Sequence, residues 1–169
     1  RLLFAPVKKT GTDFIVEKAT ELGAARLTPV VTDFTDAGRA NAERLRARAV
    51  EAAEQCGRLD VPTVDDAVAL TEALAGWPAD TPLIVADETG GGSPVLDALG
   101  RLAADATPAF VIGPQGGFSE TELAFLRGLP FSTSVDLGPR VLRAETAATA
   151  ALTCWQALRG DWTPPPGAT

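Results

Sequence analysis

The residues best suited to chemistry fall in two glycine-proline turns. The first is Gly113-Pro114-Gln115-Gly116-Gly117, directly after an apolar run; the second is Leu137-Gly138-Pro139-Arg140, followed closely by Leu142, Arg143 and Glu145. Glycine has no Cβ, so main-chain N–H and C=O groups at such turns can approach a ligand closely. Neither turn has the spacing of a dinucleotide-binding glycine loop, and neither carries the Gly-Lys-Ser/Thr of a triphosphate loop. Taken singly, each is most simply a structural turn. The 169 residues include no histidine, so no Ser-His-Asp or Cys-His relay and no histidine metal site can be built. Chemistry must therefore rest on positioning, main-chain groups, carboxylates and arginines. Cys56 and Cys154 lack metal-ligand spacing and read as buried, reduced side chains, so no metal is expected.

Such turns need a rigid frame. Short apolar runs at residues 1–7, 26–32, 81–88, 107–113 and 132–138 read as strands bounded by turn signals. Segments with helical spacing lie between and beyond them, at 12–23, 39–55, 65–76, 93–105, 119–128 and 145–160. Gly23 and Gly57 are placed as helix stops, and Ser119 with Glu122 has the spacing of a capping box. Ser93 and Pro94 read as the N-cap and first turn of the fourth helix, and Pro29 suits an edge or an irregularity in its strand. The alternation predicts an α/β fold: a mostly parallel sheet with helices on both faces. Ligands of such sheets bind outside the carboxyl ends of the strands, where both glycine-proline turns fall.

Composition sets the outer bounds. With 46 % hydrophobic residues, the chain suits one domain over residues 1–160, followed by an irregular proline-rich tail at 161–169. Charges and prolines interrupt the apolar runs well before ~18 residues, and no basic leader precedes them, so no membrane contact and a cytoplasmic location are expected. The chain enters a strand-like run at Arg1 and contains no methionine, which reads as a piece of a longer protein. A net charge of −7 argues against generic coating of nucleic acid, although Arg39, Arg44, Arg46 and Arg48 gather on one helix against Glu43. That helix reads equally well as RNA-facing or as merely solvated. The last helix is apolar and rich in small residues around most of its circumference, so it needs cover from a core or a second subunit.

In combination the motifs are more specific. "GPQGGFSETEL" and "LGPRVLRAETA", with "KATELGAARLTPV" and "EAAEQCGR" upstream, resemble the 16S ribosomal RNA (uracil-N3) methyltransferase family of the SPOUT superfamily over nearly the whole chain. The resemblance implies an S-adenosylmethionine-dependent enzyme acting on 16S ribosomal RNA or the small ribosomal subunit, and a homodimer. It also implies a C-terminal trefoil knot, which pattern alone would not suggest because knots are so rare. Members usually carry an N-terminal, PUA-like RNA-binding barrel that has no counterpart in this chain. Carried over, the cofactor residues are Glu88, Ile112, Gly113, Pro114, Gly116, Gly117, Leu137, Gly138, Leu142 and Arg143.

Uridine N3 becomes a good nucleophile only once its proton leaves, and the negative charge then spreads onto O2 and O4. Arg143 and Arg140 flank the cofactor turn and are the candidates for a cation beside that charge, Arg143 the catalytic one. A surface arginine there also reads as a solvated charge or a helix-neighbour salt bridge, Arg140 more readily than Arg143, and Arg140 reads further as an RNA contact. Gln55 and Arg58 read as ordering the target base or its phosphate, or, for Arg58, as favouring a helix C-terminus. Family members commonly have Gly-Pro-Glu-Gly-Gly, whereas Gln115 stands in this chain. A glutamine cannot accept a proton as a carboxylate does, so the position reads as serving binding or turn geometry. Glu145, the remaining nearby carboxylate and second catalytic candidate, has three readings: pairing with Arg143, favouring the helix N-terminus, or taking the N3 proton. The second accords best with the preference of acids for that position. Alternatives are a SPOUT enzyme acting on a ribose 2'-OH or a transfer RNA base, or a non-catalytic cofactor- or ribosome-binding module.

Overall fold

The computed structural model describes residues 1–35 and 40–163; Arg39 and residues 164–169 of the proline-rich tail lie outside the described residues. In chain order the elements are β1 (Leu2–Phe4), α1 (Lys9–Glu21), β2 (Arg26–Val31), α2 (Ala42–Cys56), β3 (Thr63–Val64), β4 (Val68–Ala69) and α3 (Leu70–Ala73). They continue with β5 (Leu83–Ala86), β6 (Ser93–Pro94), α4 (Val95–Gly100), β7 (Ala109–Ile112), α5 (Glu120–Gly128), β8 (Ser132–Asp136) and α6 (Ala144–Leu158). The strands run in the order β3-β2-β1-β7-β5-β8-β6, with β4 also on β2, and every pairing is parallel. This is the α/β sheet that the alternation predicts.

Side-chain alternation divides the core between the two faces. Leu2, Phe4, Ile84, Phe110 and Ile112 pack under α1, α2, α4 and α6, whereas Leu3, Leu83, Val85, Ala109 and Val111 pack under α3 and α5. All ten are at most 2 % exposed. At ~1.5–3 kcal/mol for each large apolar side chain removed from water, the three central strands are the most firmly held part of the sheet. Pro29 has no N–H to give. It falls between the β3 pairing at Arg26 and Leu27 and the β4 pairing at Val30 and Val31, the irregularity its sequence position suggests.

Several boundaries differ from the sequence expectation. Helix α1 begins at Lys9, and Thr12 lies within it, its Oγ1 accepting from Val7 N at 2.9 Å and donating to Val7 O at 3.0 Å. The expected helix at 65–76 is reduced to the single turn α3, because Val68 and Ala69 pair with β2. The helix expected at 93–105 is only α4, and Ser93 with Pro94 forms an edge strand on β8 instead of a cap. Gly92 explains this: a Cβ there would lie 2.5 Å from the Val135 carbonyl carbon, so only glycine lets the chain come down onto β8. Cys56 and Cys154 are free thiols, but neither is buried as expected: Cys56 is exposed and Cys154 half-buried.

The arginine-rich helix is α2, starting at Ala42 with the Asn41 side chain accepting from Arg44 N and ending at Gly57 with φ +75°. Its charge is matched within the chain: Arg44 pairs with Asp13 at 2.6 Å, Arg46 with Asp66 at 2.8 Å and Arg48 with Glu51 at 2.8 Å. Helix α6 packs against α1, α4 and β7 of its own chain, burying Ala144, Ala147, Ala148, Ala151, Leu152 and Gln156. Among the described residues, no helix is long and apolar enough to cross a membrane.

Candidate functional site

Three loops at the carboxyl ends of neighbouring strands enclose a cleft of about 310 Å³. They are residues 86–90 after β5, 112–117 after β7 and 135–142 around the end of β8, and Ala144 and Ala147 of α6 also line the cleft. The sheet order explains their meeting, since β5 lies between β7 and β8 in register. The volume is at the small end of the range for small-molecule sites. Of the residues expected to hold a ligand, Glu88, Ile112, Gly113, Pro114, Gly117, Leu137, Gly138 and Leu142 line this cleft, and so does Arg140. Gly116 and Arg143 do not. Gly116 instead approaches Phe34, and Arg143 occupies the exposed N-cap position of α6.

The walls hold one another in place. Gly117 has φ +74°, and a Cβ there would fall 2.0 Å from Glu88 Oε1. That same oxygen accepts from Phe118 N at 2.9 Å. The Gly117 requirement is thus met first by a protein side chain: the absent Cβ makes room for the Glu88 strut joining two of the loops. Gly113 lies against the Phe118 ring, where a Cβ would be 3.0 Å away. The third loop turns at Gly138, with φ +111°, and its N–H donates to Asp136 Oδ1 at 2.8 Å. The capping box at the start of α5 is present as its sequence predicts, and Ser119 Oγ and Glu122 Oε1 also bind Asp33, its carboxylate and its backbone N–H respectively.

Sequence reasoning missed Asp87, which also lines the cleft. Its side chain is fully buried; Oδ1 accepts from Thr89 N and Oγ1 at 3.0 and 2.6 Å, and Oδ2 accepts from Arg127 Nε and Nη2 at 3.1 and 2.6 Å. Burial alone would raise its pKa, but the hydrogen bonds from Thr89 and Arg127 outweigh it and hold the carboxyl below its ordinary value of 3.8. The one sequence signal was an acid in a turn at the end of an apolar strand, followed two residues later by a threonine. Its partner Arg127 lies forty positions away on α5, beyond the reach of local pattern.

The remaining candidates separate. Glu145 is in the first turn of α6 but does not line the cleft. Its Oε2 is buried without a hydrogen-bond partner, 3.6 Å from where a Cβ on Gly11 would stand, so this carboxylate faces α1. Arg58 donates to the Thr20 and Ala24 carbonyls at 2.7 and 3.0 Å and pairs with Asp60 at 2.7 Å, closing the C-terminal end of α1. It therefore acts on a helix C-terminus, though not its own. Gln55 is exposed on the last turn of α2. Both stand apart from the residues lining the cleft. Among the described residues no group of His, Cys, Asp or Glu side chains is arranged to hold a metal ion.

Similarity to known proteins covers this whole arrangement. Ribosomal RNA small subunit methyltransferase E of Rickettsia conorii is 28 % identical over 89 % of this chain and 61 % of its own length. The protein of the same name from Bacillus subtilis is 31 % identical over 88 % of this chain and 63 % of its own length. The chain thus spans less than two thirds of the length of these curated relatives. A crystal structure of ribosomal RNA small subunit methyltransferase E from Neisseria gonorrhoeae bound to S-adenosyl methionine superposes with a TM-score of 0.80, at 32 % identity, covering 96 % of this chain and 67 % of that one. A putative methyltransferase from Legionella pneumophila in complex with the same cofactor gives 0.78 at 29 % identity, covering 93 % and 66 %. The sequence pattern of the RNA methyltransferase domain matches residues 1–156, and the chain belongs to that family.

Proposed function

We propose that this chain is the catalytic domain of an S-adenosylmethionine-dependent methyltransferase that modifies N3 of a uridine in small-subunit ribosomal RNA. The observation that carries the reading is the three-loop cleft, in which main-chain-rich turns at 113–117 and 137–140 meet the apolar side chains of Ile112, Leu137 and Leu142. The donor set fits the cofactor. Apolar walls suit adenine, exposed main-chain groups suit its ring nitrogens and the ribose, and the carboxylates of Glu88 and Asp136 suit a cationic sulfonium. When bound, the cofactor supplies an electrophilic methyl group. The names of the relatives point to the same substrate, the small-subunit ribosomal RNA.

In this reading Arg143, at the α6 N-cap, stabilises the charge left on O2 and O4 when the N3 proton departs, and Arg140 at the cleft holds an RNA phosphate. Glu88 keeps the cofactor loops in register through Phe118 N. Glu145 is assigned to the start of α6 and not to proton removal, because its buried oxygen faces α1. The family's trefoil threading of the last elements and a homodimer are part of the same proposal. In support of the dimer, α6 carries a strip of small residues beside its packed face, with Thr146 and Ala157 exposed and Thr149, Ala150 and Thr153 between them half-buried. Nucleoside mass spectrometry of small-subunit RNA, from cells with and without the full-length gene, tests the reading. Loss of 3-methyluridine in the deletion strain is expected; an unchanged level refutes it.

A further inference from the structure

The distribution of unpaired positive charge carries an inference that rests on the RNA-methyltransferase reading and extends it to a surface outside the cleft. Most cations of the described residues are committed to acids: Arg1 and Arg26 share Asp65, Lys18 pairs with Glu17 and Glu21, and Arg127 pairs with Asp87. The arginines of α2, and Arg58 after it, are paired likewise. Among the described residues, those with no acidic partner are Lys8, Lys9, Arg101, Arg140, Arg143 and Arg159, the last donating to Gly100 O at 2.8 Å.

These residues are not scattered evenly. Arg140 and Arg143 follow the carboxyl end of β8. Lys8 and Lys9 follow the carboxyl end of β1, which is in parallel register with β7, Phe4 opposite Ile112, at the same edge of the sheet. The start of α1 is then brought against the start of α6, where Gly11 meets Glu145. Arg101 and Arg159 follow the C-terminal ends of α4 and α6, which run back to the opposite edge. Lys8, Lys9 and Arg143 therefore stand at the junction of the starts of α1 and α6, and Arg140 stands on the cleft that α6 also lines.

The two lysines are also unfavourable where they stand. Lys8 is the N-cap and Lys9 the first residue of α1, with no acid in the first turn and no side-chain cap. Cations at that end oppose the helix macrodipole, and among the described residues no ion pair offsets them. Glu145, across the junction, turns an oxygen inward against Gly11 and leaves both lysines exposed. We propose that Lys8 and Lys9 are a phosphate-binding site for the RNA strand flanking the target nucleotide, acting with Arg140 across the cleft edge. In an acidic chain, this local placement supplies the counter-charge that RNA binding requires.

The test measures binding of small-subunit RNA to the full-length protein at a series of salt concentrations, comparing wild type with a Lys8→Gln/Lys9→Gln variant. The variant should bind more weakly, with a log–log salt slope shallower by about 1.4, since each phosphate neutralised on a single strand adds about 0.7 to the slope. Arg101→Gln, an equivalent removal of charge per residue at the other edge, should retain the wild-type slope. Lys8→Arg/Lys9→Arg should restore binding. S-adenosylmethionine affinity should be equal in all four proteins, which verifies that the fold is intact. A wild-type slope in the double glutamine variant overturns this inference alone. Wild-type protein with no affinity for the RNA overturns it together with the function on which it rests.

Discussion

Gly117 meets two demands, a positive φ and a surface with no side chain beside Glu88. Valine would place its Cβ within the Glu88 carboxylate and force a β-branched residue into the left-handed region, at a conformational cost of roughly 1–2 kcal/mol before any collision is counted. Gly117→Val is therefore expected to abolish S-adenosylmethionine binding measured by calorimetry, with helix content by circular dichroism nearly unchanged. Wild-type affinity would show that the strut does not shape the cleft. Arg143→Ala in the full-length protein should lower single-turnover methylation by ~10²-fold or more at saturating RNA and cofactor, with partial recovery at higher pH, where hydroxide favours the uridine anion. A wild-type rate would remove Arg143 from catalysis. The turns themselves were legible in the sequence because glycine and proline at close spacing have few other uses. The partner of Gly117 was not, since Glu88 reaches the turn from another strand.

At the scale of elements, the loop after β5 is held by α5 through Asp87 and Arg127. Removing Arg127 leaves a fully buried carboxylate with only Thr89 as donor, and Arg127 is itself 45 % exposed, so the loss is moderated by solvent. Arg127→Ala should cost about 1–3 kcal/mol in chemical denaturation. The pH dependence has a definite sign. The folded pKa of Asp87 is lowered, so its contribution is present above the ordinary value of 3.8 and fades as the pH falls through the lower folded value. Asp87→Asn should accordingly be less stable than wild type at neutral pH, and the difference should narrow below pH 3.8. A constant difference in thermal unfolding across that range would contradict it. The positions of β1, β2, β5, β7 and β8 were legible because short apolar runs between helices admit few other readings, whereas the two-residue strands β3, β4 and β6 were not. The helix expected at 93–105 failed because helix propensity outweighed a Gly-Gly-Gly stretch whose last member lets the chain onto β8. The helix at 65–76 failed because pairing with β2 claimed its start.

On the scale of the whole molecule, the parallel sheet follows from alternation, whereas the direction of the arginines does not. A count along α2 shows a basic helix; only the folded chain reveals Asp13 and Asp66 answering Arg44 and Arg46 from other segments. The threading proposed for the last elements is similarly outside the reach of pattern, because a local sequence carries no record of which loop the chain passes through. Light scattering at micromolar concentration should give twice the mass of one chain; a well-folded monomer with bound cofactor would mean that the strip on α6 serves no dimer. The most direct measurement of the central claim is the position of the methyl group. Full-length protein, small-subunit RNA and methyl-labelled S-adenosylmethionine should yield label in 3-methyluridine after digestion to nucleosides, in wild type and not in Gly117→Val. Label in a 2'-O-methyl nucleoside or in another base, or no transfer at all, would contradict the proposed function.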